Sequence, residues 1–241
     1  MLNVFSLDTS SDHCSVAMSL DGVGSSEVAF APRKHAQLIL PMIKTSLEKQ
    51  KASLKDFNVI AFGCGPGSFT GLRIAAGIAQ GLAYGSDLGV LPISNLRALA
   101  LKAHYETHAS RVLVAIDARM DEVYWGIFEV SIVDELPLVT AINGEHVSAP
   151  ENVALDIQAL CPVDSGDLVG VGSGMAFFER FPADLIQSIS SYDVDIRPDA
   201  REICALAVAD LSRDVVAGEP QDAIPSYIRD KVTWKKLPGR E

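Results

Sequence analysis

Two carboxylates stand where chemistry could begin. Asp8 closes an apolar run and is followed by Thr9, Ser10 and Ser11; Asp117 closes another and is followed by Ala118 and Arg119. A carboxylate in a turn beside hydroxyls can orient a metal-bound water while the hydroxyls donate to a phosphate. The bland reading is equally concrete. Asp and Ser are good turn residues, and an Asp117–Arg119 ion pair would explain the second turn without any reaction. A third candidate is the glycine-rich stretch 63–71, Gly-Cys-Gly-Pro-Gly-Ser-Phe-Thr-Gly. Backbone N–H groups of such a turn at a helix N-terminus attract anions. The stretch nevertheless lacks Gly-Lys-Ser/Thr, completes no G-x-G-x-x-G, and does not place Ser68 in G-x-S-x-G. It is neither a P-loop nor a nucleophile elbow, and a tight strand-to-helix turn is the favoured reading. His104 and His108 have the i, i+4 spacing of helical zinc ligands, but no third ligand and no Glu base completes the set. They read as exposed histidines near a helix end, where the dipole favours them. His13 and His35 stand alone, and Trp125 and Trp234 read as core or interface anchors.

The elements that must hold these residues alternate strand and helix, which predicts an α/β fold. Residues 2–8 form a buried strand, 14–20 a returning strand, and Asp21-Gly22 a hairpin turn into a third strand at 23–30. A helix covers 34–50, where Pro41 predicts a bend or a late start. A strand at 58–63, a helix of small residues, a strand at 89–92 and a helix capped by Ser94 complete the series. The opening then recurs roughly 110 residues on, with strands at 112–117, 123–130 and 136–142, a helix at 151–160, a strand at 168–171 and a late helix at 198–217. Two copies of strand–strand–strand–helix–strand–helix are an internal duplication. The division falls near 107–111, giving halves of 1–109 and 110–241.

The helix after the glycine-rich turn carries its own puzzle. Gly67, Gly71, Ala75, Ala79 and Ala83 recur every four positions and fall on one stripe. Gly71, Gly77 and Gly81 each cost about 1 kcal/mol relative to Ala in a helix interior. A smooth face repays that by letting a backbone come close: the sheet beneath, a phosphate, or a partner's helix.

Composition bounds the partners. The 241-residue chain carries a net charge of −11 and 48% hydrophobic residues, as an ordinary globular protein does. An acidic chain is not expected to bind RNA tightly unaided, because phosphate contacts supply much of that affinity. The exception is the tail, where Arg229, Lys231, Lys235, Lys236 and Arg240 outnumber Asp230 and Glu241. No apolar run approaches the roughly eighteen residues of a membrane span, and the N-terminus has no basic n-region. Cys14, Cys64, Cys161 and Cys204 are scattered with no C-x-x-C, so reduced thiols and a cytoplasmic location are expected.

The repeated hairpins with Asp8 and Asp117 resemble those of the actin-like ATPase superfamily, a duplicated, ribonuclease H-like fold of two βββαβα-type halves. The resemblance implies that both turns grip phosphates from opposite sides of a cleft and that Gly170-Val-Gly-Ser-Gly174 faces an adenosine. A narrower likeness covers essentially the whole chain. Gly65-Pro-Gly-Ser-Phe-Thr-Gly-Leu-Arg-Ile74, Asp8-Thr-Ser with Cys14-Ser-Val-Ala17, Ile116-Asp-Ala-Arg119 with Glu122-Val-Tyr-Trp125, and the tail Trp234-Lys-Lys-Leu-Pro-Gly239 resemble the TsaB family. These are the non-catalytic bacterial paralogues of TsaD in tRNA threonylcarbamoyladenosine synthesis.

The resemblance implies a scaffold with no catalytic residue and no metal of its own. Such a subunit pairs with TsaD, is joined by the ATPase TsaE, forms a homodimer when alone, and meets tRNA only through the complex. TsaD holds its metal through an H-x-x-x-H motif; by order of elements the matching positions here are Asn95 and Leu99, and neither suits a transition metal. The implied partner surface is the first two helices: Leu38 and Met42, then Gly71, Ile74, Ala75, Ile78, Ala79 and Leu82. Residual nucleotide contacts would fall to Asp8, Thr9, Asp117 and Gly172, with ATP or ADP entering at the interface of the complex. Two other functions compete: an ATPase or small-molecule kinase using Asp8 and Asp117, and, ranked last, a peptidase, for which no Ser/His/Asp spacing exists.

Overall fold

In a computed structural model the chain is described at residues 2–142, 144–154 and 168–229. Strand β1 (Val4–Asp8) is buried from end to end and splits its side chains between two cores. Phe5 and Leu7 face one side and Val4 the other, the period-two alternation of a strand covered on both faces. β1 pairs antiparallel with β2 (His13–Leu20), which pairs with β3 (Val23–Phe30). On its other side β1 runs parallel to β4 (Val59–Gly65), and β4 to β5 (Gly89–Ser94). Helix α1 (His35–Gln50) continues through Pro41, and α2 (Phe69–Ser86) follows β4. Helix α3 (Asn95–Thr107) starts where β5 stops, capped by the Ser94 hydroxyl as expected.

The second sheet repeats the first. β6 (Arg111–Arg119), β7 (Glu122–Val133) and β8 (Leu136–Ala141) form an antiparallel meander, and a short β9 (His146–Ser148) also pairs with β7. β6 runs parallel to β10 (Leu168–Val171), and β10 to β11 (Ile189–Asp193). The orders β3-β2-β1-β4-β5 and β8-β7-β6-β10-β11 are the same topology, so the duplication is visible in the hydrogen bonding. Past β10 come a 3-10 segment, Ser173–Arg180, and α4 (Ala183–Ser188); the sequence patterns predict neither of these, nor β11. Where a helix was expected at 151–160, a 3-10 turn occupies Pro150–Asn152, and the expected span from 155 lies outside the described residues. The late helix α5 is confined to Ala200–Leu211.

Five layers result. α1 and α2 cover the outer face of the first sheet, and the 3-10 segment and α4 that of the second. Between the sheets lie α3 and α5, sharing one core with residues of both, among them Val4, Ala61, Leu99, Val114, Phe128 and Leu206. The helices cross over: α3, from the first half of the chain, packs on β6, β7 and β8, while α5, from the second, packs on β1 and β2. Ser6 and Ser15 fix α5 to the first sheet by side-chain bonds to the backbone of Ala200. Among the described residues, no helix is long and apolar enough to cross a membrane.

Candidate functional site

The β1–β2 turn is sealed. Asp8 is fully buried, and its Oδ2 accepts from the Ser10 amide at 3.0 Å and the Ser10 hydroxyl at 2.9 Å. Asn95, the first residue of α3, reaches Oδ1 with its Nδ2 at 3.4 Å, while its own Oδ1 has no partner. Burial pushes the Asp8 carboxyl up to about 7, overriding the Ser10 bonds that pull it down. β4 closes the remaining side: a Cβ on Gly63 would lie 2.0 Å from Asp8 Oδ1 and 2.5 Å from Asn95 Oδ1. On that side there is no room even for a methyl group. Thr9 is equally committed, its hydroxyl donating to the Gly71 carbonyl at 2.7 Å. Asp8 and Thr9 therefore hold the starts of α2 and α3 in place.

The β6–β7 turn is different. Asp117 is partly exposed; its carboxylate accepts from the Arg119 amide at 2.8 Å and pairs with the Arg119 guanidinium at 3.0 Å. Arg119, Met120 and Asp121 all adopt left-handed backbone, with φ of 61°, 55° and 65°. Arg180 clamps the turn through Asp121 and also pairs with Glu151. Gly172 has φ of 101°, and a Cβ there would sit 2.4 Å from the Ala115 carbonyl oxygen, so the loop after β10 lies tight against its own sheet. Each aspartate is hydrogen-bonded by its own neighbourhood. Leu99 is fully buried in the central core, its Cδ1 3.7 Å from where a Cβ on Gly172 would be. His104 turns its Nδ1 to the Ala109 carbonyl oxygen, and among the described residues no cluster of His, Cys, Asp or Glu could hold a metal.

Helix α2 divides the proposed partner surface in two. Gly71, Ala75, Ala79 and Ala83 are buried against the sheet, and a Cβ on Gly71 would lie 1.9 Å from the Thr9 carbonyl oxygen. Gly71 thus admits the chain's own first hairpin, and Gly71, Ala75 and Ala79 of the expected partner surface face inward within this chain. The opposite face carries a second series at the same spacing: Gly77, Gly81 and Gly85, where an added Cβ would meet nothing within 4 Å. Ile74, Ile78 and Leu82 flank it half-buried, as do Leu38 and Met42 on α1. Tyr84 (82% exposed), Phe69 (57%) and Leu40 (51%) stand out from the same helices. An exposed face with bare backbone and aliphatic flanks suits close helix–helix packing.

The sequence reading missed the Asp8–Asn95 pair and the outward glycine series. The four-residue spacing of Gly77, Gly81 and Gly85 was a signal for the second; nothing in the spacing of Asp8, Gly63 and Asn95 announces the first.

Comparison with known proteins settles the kinship. A family model described as TsaD, tRNA N6-adenosine threonylcarbamoyltransferase, matches residues 29–237. The tRNA threonylcarbamoyladenosine biosynthesis protein TsaB of Escherichia coli K12 is 38% identical over 100% of both chains. That of Haemophilus influenzae is 40% identical over 100% of this chain and 99% of its own. The chain belongs to the TsaB family. The solved structure of YeaZ from Pseudomonas aeruginosa superposes with a TM-score of 0.85 at 39% identity, covering 94% of this chain and 100% of that one. A second P. aeruginosa structure, described as similar to the peptidase YEAZ, gives 0.86 at 38% identity over 95% and 100%. The duplicated, actin-like architecture is thus that of the TsaB family throughout.

Proposed function

We propose that this chain takes part in tRNA threonylcarbamoyladenosine synthesis as a non-catalytic scaffold that binds and activates the transferase TsaD, with TsaE joining the pair. The observation that carries the reading is the sealed first hairpin. Asn95 and Leu99, which stand where the resemblance places the metal ligands of TsaD, are spent on Asp8 and on the central core. A member of the family with its chemical position filled by its own side chains is left with surface to offer. That surface is the outward face of α2, bare at Gly77, Gly81 and Gly85, with Ile74, Ile78 and Leu82 and the Leu38–Met42 edge of α1. The isolated chain pairs with itself through the same face, and tRNA contacts come from the partner, in keeping with a net charge of −11. ATP or ADP is taken at the interface of the complex, since Asp8 and Thr9 are committed internally.

Reconstitution tests this. TsaD and TsaE with tRNA and threonylcarbamoyl-adenylate should modify tRNA only when this chain is added. Equal modification without it would overturn the scaffold reading. Steady ATP hydrolysis by the isolated chain, abolished in Asp8→Ala, would favour the kinase or ATPase alternative instead.

A further inference from the structure

The end of the described chain ties together two regions that share no covalent neighbour. After α5 the backbone exchanges two hydrogen bonds with the edge of β5, between Val90 and Gly218, each 2.9 Å. Ala223 then sinks into the core beneath α2. The Ser226 amide donates to the Cys64 carbonyl at 2.7 Å, and the Ser226 carbonyl oxygen lies 2.7 Å from where a Cβ on Gly65 would be. Tyr227 rests on the first turn of α2: its ring centroid is 5.9 Å from that of Phe69, and its hydroxyl accepts from Arg73 Nε at 3.2 Å. The Arg73 guanidinium itself lies 3.7 Å over the Phe69 ring.

Two residues on, the partner element changes. Arg229 Nη2 donates to the Ala118 carbonyl at 3.2 Å and pairs with Glu122, and the guanidinium lies 5.9 Å from the Tyr124 ring centroid. These are the two flanks of the β6–β7 turn. Pro66, Gly67 and Leu72 on one side and Tyr124 on the other line a single crevice that Ser226 and Ile228 close. One short segment thus has one grip on the docking helix and one on the second hairpin.

We propose that residues 226–229 are an interlobe latch: Tyr227 holds the start of α2, Arg229 holds the β6–β7 turn, and release at either end loosens the other. Both grips are side-chain interactions at partly exposed positions, weak enough to open locally while the core stays folded. The turn at the far end has three consecutive residues in left-handed backbone, so it has little intrinsic preference for the shape it is held in.

Hydrogen exchange read by mass spectrometry on the full chain tests it. Arg229→Ala should speed exchange across 117–123 about tenfold, the effect of losing a charge-assisted bond. The decisive variant is Phe69→Ala with Arg73→Ala, two exposed changes on α2 that leave the core intact. It should raise exchange both at 226–229 and at 117–123, about threefold for loss of a weak aromatic and hydrogen-bonded contact. Faster exchange at 226–229 alone would mean that the segment is only locally attached, and the latch would be refuted. No change at either place refutes it as well. Arg180→Ala, which frees the turn from its other clamp, should loosen 117–123 by a separate route that the α2 variant does not share.

Discussion

The two hairpins began as copies and now do opposite things. The β1–β2 turn is buried: Asp8 faces Asn95 and Gly63, Thr9 bonds the backbone of Gly71, and the turn has become a support for two helix starts. The β6–β7 turn remains at the surface, held by an Asp117–Arg119 pair, by Arg180 and by the Arg229 latch. The same strand–turn–strand has served packing in one half and exposure in the other. What differs is the neighbour. In the first half a helix of small residues comes close enough to cover the turn; in the second, the element after β10 is a 3-10 segment pressed against Ala115, and the turn keeps its access to water.

Mutations can break this contrast, and the largest effect is expected where the seal is tightest. Gly71→Ala drives a methyl into the Thr9 carbonyl, a backbone atom that cannot step aside, and should destabilise the chain by about 3 kcal/mol in chemical denaturation. Next comes pH. The folded value of Asp8, about 7, lies above its ordinary 3.8, so the folded chain keeps a proton that the unfolded chain gives up. The resulting stability is present in full at low pH and is lost as pH rises from 3.8 to about 7, on the order of a few kcal/mol. Asp8→Asn should abolish that part of the slope: equal to the natural protein near pH 4, more stable at pH 8, with the new amide available to the unpartnered Asn95 Oδ1. Identical pH curves for the two proteins would show that Asp8 is not sealed.

Smaller effects sharpen the functional side of the contrast. Gly81→Glu puts a charge on the outward face of α2, where an added Cβ meets nothing within 4 Å, and should weaken the proposed TsaD binding about thirtyfold, or about 2 kcal/mol, with the melting temperature held. Met120→Glu, on the exposed second turn, should leave binding unchanged; loss of binding there would relocate the interface. Asp117→Ala removes only a surface ion pair and should change stability by less than about 1 kcal/mol.

How far the sequence could be read depended on whether a feature was local. Buried runs ending in Asp gave the strands and their duplication, because alternation and length are properties of the segment itself. The four-residue stripe on α2 was equally legible, yet its direction was not. Gly71, Ala75 and Ala79 share their spacing with Gly77, Gly81 and Gly85, and only the approach of Thr9 decides which series is inside. The Asp8–Asn95 pair spans 87 residues and has no periodic trace. The late helix stops at Leu211 because Asp214 turns left-handed and Arg213 swings to the backbone carbonyls of Leu136 and Pro137, a tertiary demand invisible in the helical propensity of 198–217.

The crossing of α3 and α5 has a consequence for how this molecule can come apart. Each sheet is roofed by a helix that the other half of the chain supplies, so a fragment ending before β6 would leave α3 without its sheet and β2 without its cover. Calorimetry should therefore find one cooperative transition, with calorimetric and van't Hoff enthalpies in agreement, where a simple tandem repeat would give two. The two repeats of the fold are interlaced, and a single unit cannot be recovered by cutting the chain in the middle.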